Sequence, residues 1–124
     1  WESGPMLFDA DFRHCALLRR ADTLHVFWTR VGDEPEHIMH SAIETGPSTA
    51  GWESWRPTPP LTVLRPELDW EGADLPIEAS VRGQVTERVH QLRDPAVIDD
   101  DGRTWLLYCI AGESGIAIAE LLDV

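Results

Sequence analysis

The sequence predicts an all-β protein built from two antiparallel meanders, each of the kind that forms a β-propeller blade, in an incomplete propeller. Three observations point there. The apolar runs are strand-length and rich in β-branched and aromatic residues. Short turn-rich connectors separate them. The chain also contains one pattern twice: "FRHCALLRRADTLHVFWTRVGD" (Phe12 to Asp33) aligns without a gap on "LRDPAVIDDDGRTWLLYCIAGE" (Leu92 to Glu113). A repeated meander of up to four strands is the unit of a propeller blade.

In order, the first meander has strands at "ALLRR" (Ala16 to Arg20), "LHVFWTRV" (Leu24 to Val31) and "HIMHSAI" (His37 to Ile43). "GWESWR" (Gly51 to Arg56) adds an outer fourth strand, stopped by Pro57, Pro59 and Pro60. The second meander has "PAVID" (Pro95 to Asp99), "TWLLYCI" (Thr104 to Ile110) and "GIAIAEL" (Gly115 to Leu121), with no evident outer strand. Its first connector, "DDG" (Asp100 to Gly102), suits a tight hairpin because glycine tolerates positive φ. The aspartates lack the alternation and distant glutamate of a calcium loop, so no metal is expected.

The whole, residues 1–124, reads as a single domain: a first blade over 11–60, a long connection over 61–91 and a second, incomplete blade over 92–124. The connection has four Pro and Gly residues and no sustained period, although "LTVL" (Leu61 to Leu64) has strand character. Trp70, Ile77, Val81 and Val85 would hold it, ordered, over one face.

Composition narrows the function. At 43% hydrophobic and 26% charged the chain is globular. A formal net charge of −12 excludes nucleic-acid backbones and anionic membranes as partners. No apolar run approaches the length of a membrane helix. Cys15 and Cys109 sit in apolar runs and read as buried free thiols of a reducing, cytoplasmic compartment. The first residue is Trp1, so a natural start or a longer parent chain is expected outside this stretch.

At "RDPAV", "DDGRTWLLY" and "AGESGIAIAEL" the chain resembles the five-bladed β-propeller glycoside hydrolases, family 43 foremost and with it families 32 and 68. The likeness covers Asp11 to Leu121 as blade pattern, and its specific motif is Arg93 to Pro95. It implies that Asp94 opens an innermost strand, points into a central funnel, and orients the catalytic acid or contacts sugar hydroxyls. "WESGP" is similar to the Glu-Gly-Pro setting of the family's general acid, with Ser3 inserted between Glu2 and Gly4. At the place in the first copy that matches Asp94 stands His14, and no residue takes the family's base role. Those enzymes close five blades around one funnel, whereas this chain holds about two. Open edges and apolar faces therefore lead us to expect self-association into a homo-oligomer.

Glycoside hydrolysis needs two carboxyls facing each other. Asp94 is the first candidate; otherwise it caps the turn entering a strand beside Arg93. Glu78, among apolar neighbours in "LPIEASVRG", and Glu2 are the other catalytic candidates; Glu78 also reads as a solvated loop residue. Arg13, His14, Arg82, His90 and Arg93 would form a hydroxyl-binding rim, with Glu113 adding a hydrogen bond if its turn faces the funnel. Trp70 is the tryptophan placed to stack on a sugar ring, while Trp28 and Trp105 read as core. His37 and His40 have opposite strand parity and cannot easily share a metal. The expected ligand is a carbohydrate, without cofactor; the alternative is a non-catalytic glycan- or protein-binding module.

Overall fold

A computed structural model describes residues 2–122 and Val124; the expectation drawn from Trp1 falls outside them. The chain is all-β; the described residues form two antiparallel sheets and no closed barrel. The first sheet contains β1 (Phe12–Arg20), β2 (Thr23–Arg30), β3 (Ile38–Glu44) and β4 (Leu61–Leu64), in that order. The second contains β5 (Arg93–Asp100), β6 (Arg103–Ile110) and β7 (Gly115–Leu121). No helix among the described residues is long and apolar enough to cross a membrane.

The internal repeat extends to the backbone. In β1–β2 the pairing runs Arg13↔Thr29 and then Ala16↔Phe27; in β5–β6 it runs Arg93↔Cys109 and then Ala96↔Leu107. In each case two residues oppose one, a β-bulge at the same place in both copies. The bulges put His14 at φ 48° and Asp94 at φ 47°. Asp and His are among the few side chains that enter this left-handed region readily. The two-residue turn Asp101–Gly102 has both residues at positive φ, as favoured hairpin turns require.

The sheets pack face to face. One face of the first sheet supplies Leu18, Phe27 and Ile38; the facing surface of the second supplies Leu106 and Tyr108, with Leu92 between them. Each such side chain stabilises by about 1.5–3 kcal/mol when fully buried. The opposite face of the first sheet carries Val26, Trp28, Met39 and Ile43, and is covered by Leu7, Phe8, Phe12 and Trp55. β1 and β5 run side by side in the same direction. Their heads meet where His14 approaches Asp94, and their tails are joined by Arg20, whose guanidinium donates to Asp99 at 2.5 and 2.8 Å. That bond holds the Asp99 carboxyl down to about 2, with help from Thr104.

Three expectations need correction. "GWESWR" is not a strand: Trp52–Ser54 forms a 3-10 turn, and the fourth strand is Leu61–Leu64. The first sheet therefore reaches into the segment read as connection. Leu61–Leu64 wins because it can pair with β3, while Pro57 makes only an isolated bridge to Ile43. Cys15 is exposed, because the bulge turns it outward opposite the buried Trp28. Finally, the connection is fixed by polar groups rather than by its apolar ones. Trp70, Ile77 and Val81 are exposed, while Glu71, Ser80, His90 and Gln91 are buried. Glu71 accepts from Tyr108 Oη at 2.9 Å and from the backbone N–H groups of Glu67 and Leu68.

The stacked rings of His25 and His40 share a 2.9 Å contact between Nδ1 and Nε2. Burial lowers the pKa of both, reinforced by Arg20 for His25 and by His25 for His40. The unfolded chain takes up protons near the ordinary value of 6.5 while the folded pair resists them. Their contribution is thus complete above that pH and is lost as pH falls through it. We expect the urea midpoint to drop between about pH 7.5 and about pH 5.5, and His40→Phe to flatten that drop. A wild-type midpoint constant across this window would refute the assignment.

Candidate functional site

The heads of β1 and β5 open a polar cleft of about 510 Å³, lined by Arg13, His14, Arg82, Gly83, Gln84, Asp94 and Glu113. Strand direction and the two bulges explain the convergence. The bulges turn His14 and Asp94 outward while the preceding arginines, Arg13 and Arg93, turn inward. His14 Nε2 lies 3.4 Å from Asp94 Oδ1, and the Asp94 side chain is 41% exposed.

Behind this pair lies a buried ionic network. Glu36, fully buried, accepts from Arg13 Nε at 2.9 Å and Nη2 at 2.5 Å. Arg93 Nε lies 3.4 Å and His14 Nδ1 3.9 Å from the same carboxylate. Arg93 is also fully buried: its guanidinium donates to Gln91 Oε1 at 2.6 and 3.0 Å, to Glu113 Oε1 at 3.0 Å and to the Gly83 carbonyl at 3.2 Å. Every charge is paired or hydrogen-bonded, as buried charges must be.

The connection closes one side of the cleft. Ser80 binds the Gly32–Asp33 turn through Gly32 N to Ser80 O at 3.1 Å and Ser80 N to Asp33 O at 3.1 Å. Val85 N donates to Glu113 at the matching turn of the second copy, at 3.3 Å. Arg82 reaches Asp11 at 3.3 Å and the Ala10 carbonyl at 2.8 Å. Residues 80–85 thus bridge equivalent turns of the two repeats.

Electrostatics around the pair are mixed. Burial lowers the His14 pKa, opposed by Asp94 and assisted by Arg13. The Cys109 thiol, half-buried below Asp94, is pushed up to about 11, first by burial and then by the Asp94 carboxylate, to which it hydrogen-bonds.

Of the residues expected at a site, the cleft brings together Arg13, His14, Arg82, Asp94 and Glu113, with Arg93 directly behind. It does not gather the others. Glu78 is exposed in a separate hollow of about 90 Å³ shared with His90 and Gln91. His90 is buried and its Nδ1 meets the Leu75 carbonyl at 2.8 Å, a structural role. Trp70 is 49% exposed and does not line the cleft. Glu2 is also absent from its lining, and the adjoining Gly4 lies beside the Trp52 ring. Sequence reasoning missed Glu36, Gln91 and Gln84. The one available signal for Glu36 was its position directly before an apolar strand, in place of a turn's usual small polar residues.

No group of three or more metal-ligating side chains converges among the described residues. No family model matches the chain, and no solved structure matches it. It is 42% identical over 110 residues to "Uncharacterized protein R118" of Acanthamoeba polyphaga mimivirus, covering 88% of this chain and 30% of that protein. The chain therefore spans under a third of the length of the curated relative it matches.

Proposed function

We propose that the cleft headed by Asp94 binds a carbohydrate, and that the two sheets are blades of a propeller related to the family 43-type glycosidases. The supporting observation is the convergence of six polar side chains from two repeats and a bridging loop on one open cleft. An exposed carboxylate, a histidine and two arginines offer donors and acceptors in the mixture that sugar hydroxyls need. The Glu36 network holds Arg13 in place before a ligand arrives, which reduces the ordering cost of binding.

Binding is favoured over hydrolysis. Glu113 is already ion-paired to Arg93, and Asp94 stands 41% exposed, so the described cleft has no apolar enclosure around either carboxyl. A general acid for glycoside cleavage needs that enclosure. Isothermal titration against a panel of neutral and cationic oligosaccharides tests the proposal. At least one ligand should bind, and Asp94→Asn should weaken it about 10- to 100-fold, the worth of a hydrogen bond to a charged group. Absence of any sugar binding, or equal binding by the variant, would remove this function. Turnover of an aryl glycoside that disappears in Asp94→Asn would instead make the cleft catalytic.

A further inference from the structure

Charge is unevenly balanced within the cleft. Each arginine in or behind it is held by a carboxylate of the same chain: Arg13 by Glu36 at 2.5 Å, Arg93 by Glu113 at 3.0 Å and Arg82 by Asp11 at 3.3 Å. These pairings lie within the two repeats and the connection, so they do not depend on what else the cleft meets. Asp94 differs. Its side chain is 41% exposed, and among the described residues the one basic group against it is His14, with Nε2 3.4 Å from Oδ1. Burial holds the His14 imidazole below its ordinary value of 6.5, so at neutral pH the ring is mostly uncharged. One negative charge at the mouth of the cleft is thus left without compensation.

The His14 ring is also oriented. Its Nδ1 meets Thr29 Oγ1 at 3.4 Å, and Thr29 Oγ1 has the Arg13 carbonyl oxygen at 3.5 Å. A carbonyl can only accept, so Thr29 directs its single hydrogen there and takes one from Nδ1. Glu36 Oε1, 3.9 Å from Nδ1, favours a hydrogen in the same place. Nε2 then turns a lone pair to the cleft beside Asp94 Oδ1. Their 3.4 Å separation is longer than the roughly 2.8 Å of a charge-assisted hydrogen bond. Two acceptors stand side by side, close enough for one nitrogen to donate to both. We propose that this pair, His14 Nε2 with Asp94 Oδ1, binds a primary ammonium, so that the carbohydrate taken by the cleft is an amino sugar. The inference rests on the carbohydrate reading for the body of the ligand and adds the charged group to it. An ammonium brings several hydrogens and the missing positive charge together. A hydroxyl brings one hydrogen and no charge, and an N-acetylated amine does the same. The net charge of −12 also draws cations toward the surface.

Nuclear magnetic resonance of the isotope-labelled chain tests it, in titrations near neutral pH with glucosamine, galactosamine and mannosamine, each beside its N-acetylated form. At least one amino sugar should bind about tenfold or more tighter than its N-acetylated form, with amide shifts at His14 and Asp94. Asp94→Asn keeps a side chain suited to positive φ and so keeps the fold. It should bring the two forms within about threefold of each other. The ring nitrogens of His14 in the free protein should show the hydrogen on Nδ1. Ethanolamine, an amine without a sugar ring, should bind more weakly than the amino sugars. If it binds as tightly, the ammonium site stands and the carbohydrate reading falls. N-acetylated sugars that bind as well as the amines would overturn the inference and leave the carbohydrate reading standing. An amine preference that survives in Asp94→Asn, a His14 hydrogen on Nε2, or no binding by any of these compounds would also overturn it.

Discussion

Glu36→Gln should lower the free energy of unfolding by about 3–5 kcal/mol, the largest effect expected of any near-isosteric change in this protein. Glu36 is fully buried, takes two hydrogen bonds from Arg13 and lies 3.4 Å from the equally buried Arg93. Removing its charge leaves two guanidinium groups facing each other with reduced compensation, far from water. Gln91 and Glu113 still serve Arg93, but Arg13 has Glu36 as its one bidentate partner among the described contacts. Paired urea titrations at neutral pH would show the loss as a lower midpoint at unchanged slope. A shift worth less than about 1 kcal/mol would mean that the network contributes little and that packing alone holds the heads of β1 and β5 together. The same variant should weaken any cleft ligand, since Arg13 loses the carboxylate that fixes it.

Gly72→Ala is the second substitution expected to have a large effect, about 2–5 kcal/mol from backbone strain and overpacking combined. Gly72 sits at φ 96°, where an L side chain is strained in any surroundings. A Cβ there would lie 2.4 Å from the Val89 carbonyl oxygen and 3.2 Å from the Ala111 Cα, both backbone atoms that cannot swing aside. The segment carrying Glu71 must then lift away. Its loss would break the bond from Tyr108 and the backbone bond from Ala111 N to Glu71 O, each 2.9 Å. Thermal unfolding should show a fall of several degrees for each kcal/mol lost, and the Ala111 amide should exchange faster with solvent. Gly102→Ala is the internal comparison: φ is 75° but space is open, so only the conformational cost of about 1 kcal/mol remains. Equal losses at the two glycines would show that steric closeness at Gly72 is unimportant.

What could be read in the sequence, and what could not, divides by interaction range. The gapless alignment of Phe12–Asp33 on Leu92–Glu113 carries His14 onto Asp94, Arg13 onto Arg93 and Gly32 onto Gly112, and these pairs occupy equivalent places in the fold. Local alternation and turn residues suffice for that. Glu36 was masked because "GDEPE" has the composition of a solvated turn, which outweighs its place before an apolar strand; only the meeting of two repeats buries it. The fourth strand was misplaced for a related reason. "GWESWR" and "LTVL" are both strand-compatible, and the choice rests on which can reach the free edge of β3. Glu78 and Trp70 looked suitable by residue type, but the connection is anchored at Glu71, Ser80 and Gly83, which leaves them off the cleft.

The bulges that carry His14 and Asp94 also bear on how such a site can change over evolutionary time. A position held at φ near +47° disfavours β-branched side chains; the ones that occupy it in this protein are histidine, aspartate and alanine. Branched apolar replacements there are filtered out by the backbone before any ligand exerts selection. Drift at the heads of β1 and β5 is therefore confined to compact or unbranched side chains, among which hydrogen-bonding groups are well represented. A duplicated unit of this kind passes the same backbone filter to both of its copies, so the two heads diverge in side chain while keeping one shape.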